Sequence, residues 1–194
     1  MMGFFMHFWK KVSRFIGLVV IFSCAATSVH AAGIQVKSAE LIDAGEGYQL
    51  NADFNIDFSA EVEEALSKGV PLNFVVEFKL VSPRRFWFDQ EVVTATQRLR
   101  LSFHALSRQY LINLPQHQKS FGSLPEALET LSRVHDWIVL EKSQVGKDEE
   151  YRAELKFWLD SERLPKALQV ESLSSEKWSL AAKPYRWTPN FKFE

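Results

Sequence analysis

The sequence predicts a mainly β fold, α+β by strict count: a single antiparallel β-sandwich-like domain with two short helices, preceded by a signal peptide. Three observations carry that reading. In YQLNADFNIDF, residues 48–58, apolar and polar residues alternate without exception, the period of a strand with one buried and one wet face. YRAELKFWLD, residues 151–160, repeats the pattern, with Tyr151, Ala153, Leu155, Phe157 and Leu159 on one side. Between and around them there is no strand–helix–strand rhythm of the kind that builds parallel sheets.

The remaining elements follow in order. GIQVKSAELID, residues 33–43, reads as a first strand joined to the second through Gly45-Glu46-Gly47, whose glycines suit a turn with positive φ. Ser59 then caps a short helix: Glu61, Glu63 and Glu64 lie near its positive end, Lys68 near the other, and Gly69 stops it. Its apolar stripe is Val62, Ala65 and Leu66. Pro71 introduces LNFVVEFKLV, where Leu72, Phe74, Val76, Phe78 and Leu80 share a face. Because Val75 and Val81 lie on the opposite face, this strand is expected to be more central than the first pair.

After SPRRFWFDQE comes a strand around TQRLRLSF, a four-residue loop from Ala105 to Arg108, and the strand QYLINL. That loop length pairs Phe103 with Tyr110, Leu101 with Ile112 and Leu99 with Leu114; a two-residue turn would lack the Gly or Asn that tight hairpins favour. Ser123-Leu124-Pro125-Glu126 is a capping box opening the second helix, whose apolar positions Leu124, Ala127, Leu128, Leu131 and Val134 recur at helical spacing. WIVL reads as a short strand and SQVGKDEE as a charged loop. In the tail, ALQVESL and KWSLAA are expected as short strands.

Residues 1–31 have the grammar of a secretory signal: Lys10, Lys11 and Arg14, then the apolar run FIGLVVIFSCAA, then the small-residue site Val29-His30-Ala31, with cleavage expected after Ala31. The run is shorter than the roughly 20 residues of a spanning helix, so no stable membrane span is expected after cleavage and the location is periplasmic or secreted. The only cysteine, Cys24, lies in that run, and Phe22 two positions earlier argues against lipid attachment. The mature segment, 32–194, then has no disulfide, thiolate metal site or cysteine nucleophile. Three of the 23 basic residues and none of the 24 acidic ones leave with the signal, so the mature chain is acidic and lacks the basic excess of a nucleic-acid binder.

No zinc-protease, nucleophile-elbow, phosphate-loop, dinucleotide or calcium-loop pattern occurs. The mature histidines, His104, His117 and His135, lack the short pair spacing that presents two ligands from one element, and neither metal nor cofactor is expected. His104 and Ser107 share a hairpin tip without an evident orienting group, so turn hydrogen bonding is the favoured account of both.

SPRRFWFDQE carries more signal, since arginine beside large aromatics is the composition of binding hot spots. If the segment is extended, Phe86 and Phe88 face one way while Arg85, Trp87 and Asp89 face the other. The preferred reading is structural: the phenylalanines in the core, Trp87 under a neighbour, and Arg84 or Arg85 paired to Asp89 or stacked on the indole.

The blocks VVEFKLVSPRRFWFDQEV, LRLSFHALSRQYLINL, LPKALQVESLSSEKWSL and YRW resemble a bacterial family of exported proteins, the domain of unknown function 4390. The resemblance implies a periplasmic or secreted proteobacterial protein, often encoded near a nitrogen-regulation-type sensor histidine kinase, and supplies no catalytic residues. Pro83, Arg84, Phe86, Trp87, Phe88, Asp89, His104, Arg108 and Tyr110 match its blocks. The sequence thus leads to a non-enzymatic module that binds an envelope protein or an anionic or aromatic ligand. Arg84, Arg85, Trp87, Asp89, His104 and Arg108 are its candidate binding residues, forming one surface if the two loops fall at one end. The rival is an envelope hydrolase centred on His104.

Overall fold

Two antiparallel sheets face each other in the computed structural model, which describes residues 33–147 and 149–191. The expected signal segment, with Cys24 and the expected cleavage after Ala31, lies outside the described residues. The chain begins with the hairpin β1 (Gly33–Asp43) and β2 (Gly47–Asp57). Gly45 takes φ +84° in its turn, donating its N–H to Asp43 Oδ1 at 3.0 Å. As the alternation predicts, Tyr48, Leu50, Ala52, Phe54 and Ile56 are buried.

Helix α1 (Ala60–Ser67) carries the chain across to the second sheet. Ser59 Oγ accepts from the Val62 N–H at 3.3 Å, Gly69 ends the helix at φ +88°, and Val62, Ala65 and Leu66 are its buried residues. A meander follows: β3 (Leu72–Ser82), β4 (Gln90–His104), β5 (Gln109–Asn113) and β6 (Gln118–Phe121). After α2 (Leu124–Leu131), β7 (Arg133–Glu141) returns to lie beside β2; β8 (Arg152–Leu159) then inserts beside β3. The tail forms α3 (Lys166–Ser174) and β9 (Tyr185–Trp187). The sheet orders are therefore β1-β2-β7 and β6-β5-β4-β3-β8-β9, which places β3 inside its sheet, as its two apolar faces predict.

Several expectations are corrected. Phe103 does pair with Tyr110 and Leu101 with Ile112 across the Ala105–Arg108 turn, but Leu99 faces Phe74 of β3 rather than Leu114. β5 stops at Asn113, and the Leu114 N–H instead donates to the His117 carbonyl at 2.9 Å, closing the β5–β6 turn. α2 ends before Val134, which enters β7. ALQVESL is helical within α3: an Ala-, Leu- and Glu-rich segment without a continuous partner edge satisfies its backbone internally. KWSLAA is a 3₁₀ turn at Glu176–Trp178 followed by a single bridge, Ala181 to Trp158, so a third helix stands where strands were expected. The short strands β6 and β9 were not anticipated.

The inner faces of both sheets share one core. Phe157 of β8 stands between Phe54 of β2 (4.6 Å between centroids) and Phe74 of β3 (5.7 Å), both edge-on. All three rings are essentially inaccessible, so truncation leaves a cavity that neighbours on two sheets cannot both close. Phe157→Ala should lower the unfolding free energy by about 3–5 kcal/mol, read as a reduced urea midpoint.

Candidate functional site

The outer face of the six-stranded sheet follows from the same alternation. With Phe78 and Leu80 inward, Glu77, Lys79 and Val81 of β3 must point out; with Ala153, Leu155 and Phe157 inward, so must Arg152, Glu154 and Lys156 of β8. The register sets opposite charges across from one another, Glu77 against Lys156, Lys79 against Glu154, and Glu154 against Arg186 of β9. Such pairs stabilise a sheet face where like charges would repel.

Lys79, Val81, Arg152, Glu154, Lys156 and Arg186 form the floor of a groove of about 810 Å³, completed by Asp89 and rimmed by Trp87 and Phe88 of the β3–β4 loop. Its lining holds four cations (Lys79, Arg152, Lys156, Arg186) and two carboxylates (Asp89, Glu154), and Glu77 and Glu91 beside it bring the carboxylates to four. Lys79 pairs with Glu91 at 2.6 Å, Lys156 with Glu154 at 2.9 Å and Glu77 at 3.5 Å, and Arg152 more loosely with Asp89 at 3.6 Å. Arg186 also donates to Glu154. Burial would push the Glu154 carboxyl up, yet hydrogen bonds from Lys156 and Arg186 hold it below its ordinary value. The Lys156 ammonium is raised, chiefly by its hydrogen bond to Glu154, and Glu91 is lowered by its bond to Lys79.

The rim overturns the expected core role of the phenylalanines. Residues 83–89 are an irregular loop between Ser82 and Gln90, and Phe86, Trp87 and Phe88 are 88%, 80% and 94% exposed. Strand alternation does not extend past Pro83, so no inward face exists for Phe86 and Phe88 to occupy. Neither arginine neutralises Asp89: Arg84 donates to Gln90 Oε1, and Asp89 faces Arg152.

The six sequence candidates fall into two groups. Arg84, Arg85, Trp87 and Asp89 stand at one end of β4, His104 and Arg108 at the other, so the two loops do not make one surface. At the far turn Arg108 takes φ +53°, while His104 Nδ1 lies 2.9 Å from Ser107 Oγ and accepts the Ser107 N–H at 3.3 Å. Both groups therefore close the turn, and among the described residues no carboxylate orients the imidazole.

A second cleft, of about 800 Å³, opens between β4, the β5–β6 turn and β7. It brings together His117 and His135, which no sequence spacing suggested. β7 bulges there opposite β2: Asp136 takes φ +56°, its N–H donates to Asn51 Oδ1 at 2.9 Å, and His135 Nε2 meets Asp53 Oδ1 at 3.2 Å. Among the described residues no group of three or more His, Cys, Asp or Glu is placed to hold a metal ion, and no helix is long and apolar enough to cross a membrane.

Sequence reasoning missed the groove residues Lys79, Arg152, Lys156 and Arg186, which meet across strands distant in sequence. Their signal was the phase of the alternation, which assigns VVEFKLV and YRAELKFWLD outward faces rich in charge.

Fold and site together define an antiparallel β-sandwich with a mixed-charge groove under an exposed aromatic hairpin tip. The family model described as Domain of unknown function (DUF4390) matches residues 31–188, and the chain belongs to that family. Comparison with curated proteins and with solved structures gives no match.

The charge ladder makes stability depend on pH at both extremes. Glu154, lowered on folding, adds stability that is complete above its unfolded value of about 4.3 and is lost as pH falls through the lower folded value. Lys156, raised on folding, adds stability that is complete below about pH 10.4 and is lost as pH rises through its higher folded value. Glu154→Gln should lower the urea midpoint at neutral pH, and the gap from wild type should close in acid as Glu154 itself protonates.

Proposed function

We propose that this protein is a non-enzymatic binding module of the cell envelope, delivered by its signal segment to the periplasm or beyond, and that the β3–β4 tip is its binding element. The observation that carries the reading is the exposure of Phe86, Trp87 and Phe88 beside two arginines. Three such rings present on the order of 500 Å² of aromatic surface, about the size of the largest apolar patch on an ordinary monomer. A sheet of this size needs only a short polar turn to join β3 to β4. The aromatics thus have no role in the fold that would account for them.

The groove beneath the tip offers a partner's anionic group the loosely held Arg152, while Lys79 and Lys156 have close carboxylates. Family resemblance implies a setting near a sensor histidine kinase, and we take an envelope-sensing role as the physiological frame. The rival hydrolase rests on the His104–Ser107 contact alone, and the same Nδ1 is engaged by the backbone of its turn.

The test is photocrosslinking in living cells from an analogue placed at Phe88. A discrete adduct is expected, weakened at least tenfold by Arg85→Ala with Trp87→Ala, while the melting temperature stays within about 2 °C because both side chains are exposed. An absence of adducts from the expressed protein, or a large loss of stability in the variant, would overturn the reading.

A further inference from the structure

Resting on the tip as binding element, we infer that its partner is the lipid bilayer surface: Phe86, Trp87 and Phe88 enter the headgroup region while Arg84 and Arg85 meet lipid phosphates. The first argument is directional. The three aromatics are consecutive on an irregular loop, each exposed over four-fifths or more of its surface. Trp87 and Phe88 rim the groove while Phe86 is not part of its lining, so a folded protein partner would need more than one pocket to cover the three rings. A fluid interface surrounds the whole tip and solvates every ring at once.

The second argument is chemical. Tryptophan and phenylalanine flanked by arginine match the two layers of an interface, since aromatic rings settle at the acyl boundary and long cationic side chains reach back to phosphate. Arg85 is exposed, and Arg84, also exposed, donates to Gln90 at the loop's base. Lys79, Arg152 and Arg186 in the groove beneath each face a carboxylate, so the cationic share of binding falls to Arg84 and Arg85 at the tip.

The third argument concerns shape and sets the depth. Ser82 pairs with Gln90, so the loop leaves and returns at one strand spacing, about 5 Å, and forms a narrow wedge. Its irregular backbone keeps polar groups that hydrocarbon cannot satisfy, which restricts the wedge to the interface. Glu149 and Glu150 line a neighbouring cleft with Pro83 at the same end and oppose anionic lipid. Binding is therefore driven by the aromatics, with a smaller share from the arginines.

The protein, purified as its producing cell processes it, is floated with vesicles of phosphatidylethanolamine and phosphatidylglycerol, and separately with vesicles of phosphatidylcholine. Wild type should float with both and more with the anionic set. Phe86→Ser with Trp87→Ser and Phe88→Ser should lower partitioning at least about 100-fold on both. Arg84→Gln with Arg85→Gln should lower it about tenfold, on anionic vesicles only. A polarity-sensitive fluorophore on Phe88→Cys should brighten with vesicles, and one on Leu106→Cys at the opposite end of β4 should not. Wild type remaining in the aqueous phase, partitioning unchanged by the triple substitution, or equal brightening at both positions would overturn the inference. If wild type ignores vesicles yet crosslinks from residue 88 to one protein in a Trp87-dependent way, the lipid assignment falls and the binding element stands. Neither flotation nor a crosslink removes both.

Discussion

The interlock of Phe157 between Phe54 and Phe74 is the constraint from which the rest of the molecule follows. It ties β8 to the opposite sheet and to its neighbour β3, and so fixes the phase of both strands. A strand slipped by one residue would turn Lys156 and Trp158 into the core and Phe157 into water, a change no local adjustment could offset. The charged floor of the groove is thus the outer print of the inner packing. The tail obeys the same frame: Trp178, Leu180 and Ala182 are buried, Lys177 reaches Glu61 of α1, and the Leu159 N–H donates to Leu180.

The site divides its work between two kinds of surface. On the floor, most charges already have partners; their contribution is to shape a polar trough and hold three strands in register. Above it, the rings of the aromatic tip have no such partners among the described residues and leave their apolar surface in water. Self-neutralised ladders tolerate changes of salt and pH, whereas exposed rings bind whatever accepts them. Under the proposed binding role, the floor sets which partners can approach, and the tip sets how tightly one is held.

Much of the fold was legible because period-two alternation is a direct image of burial. The residues of β2, β3 and β8 point where their pattern says, and Ser59 and Gly69 bound α1 as their chemistry requires. Legibility failed where the pattern was carried past its physical basis. Phe86 and Phe88 were assigned inward by extending an alternation through Pro83, although the pairing that enforces it ends at Ser82 and Gln90. ALQVESL is short enough to fit either period, and only the absence of a continuous partner edge decides for the helix. The groove was illegible for another reason: Lys79, Arg152 and Arg186 become neighbours through strand order, which no local pattern encodes.

One consequence lies in the length of β4. Its fifteen residues, Gln90 to His104, run from the aromatic tip to the Arg108 turn, a span of about 45–50 Å at the usual rise of a strand. At physiological salt, charges interact across only about 8 Å, so the two ends are electrically insulated from each other. A charge brought to the tip therefore leaves the electrostatic surroundings of the histidine-bearing turn unchanged.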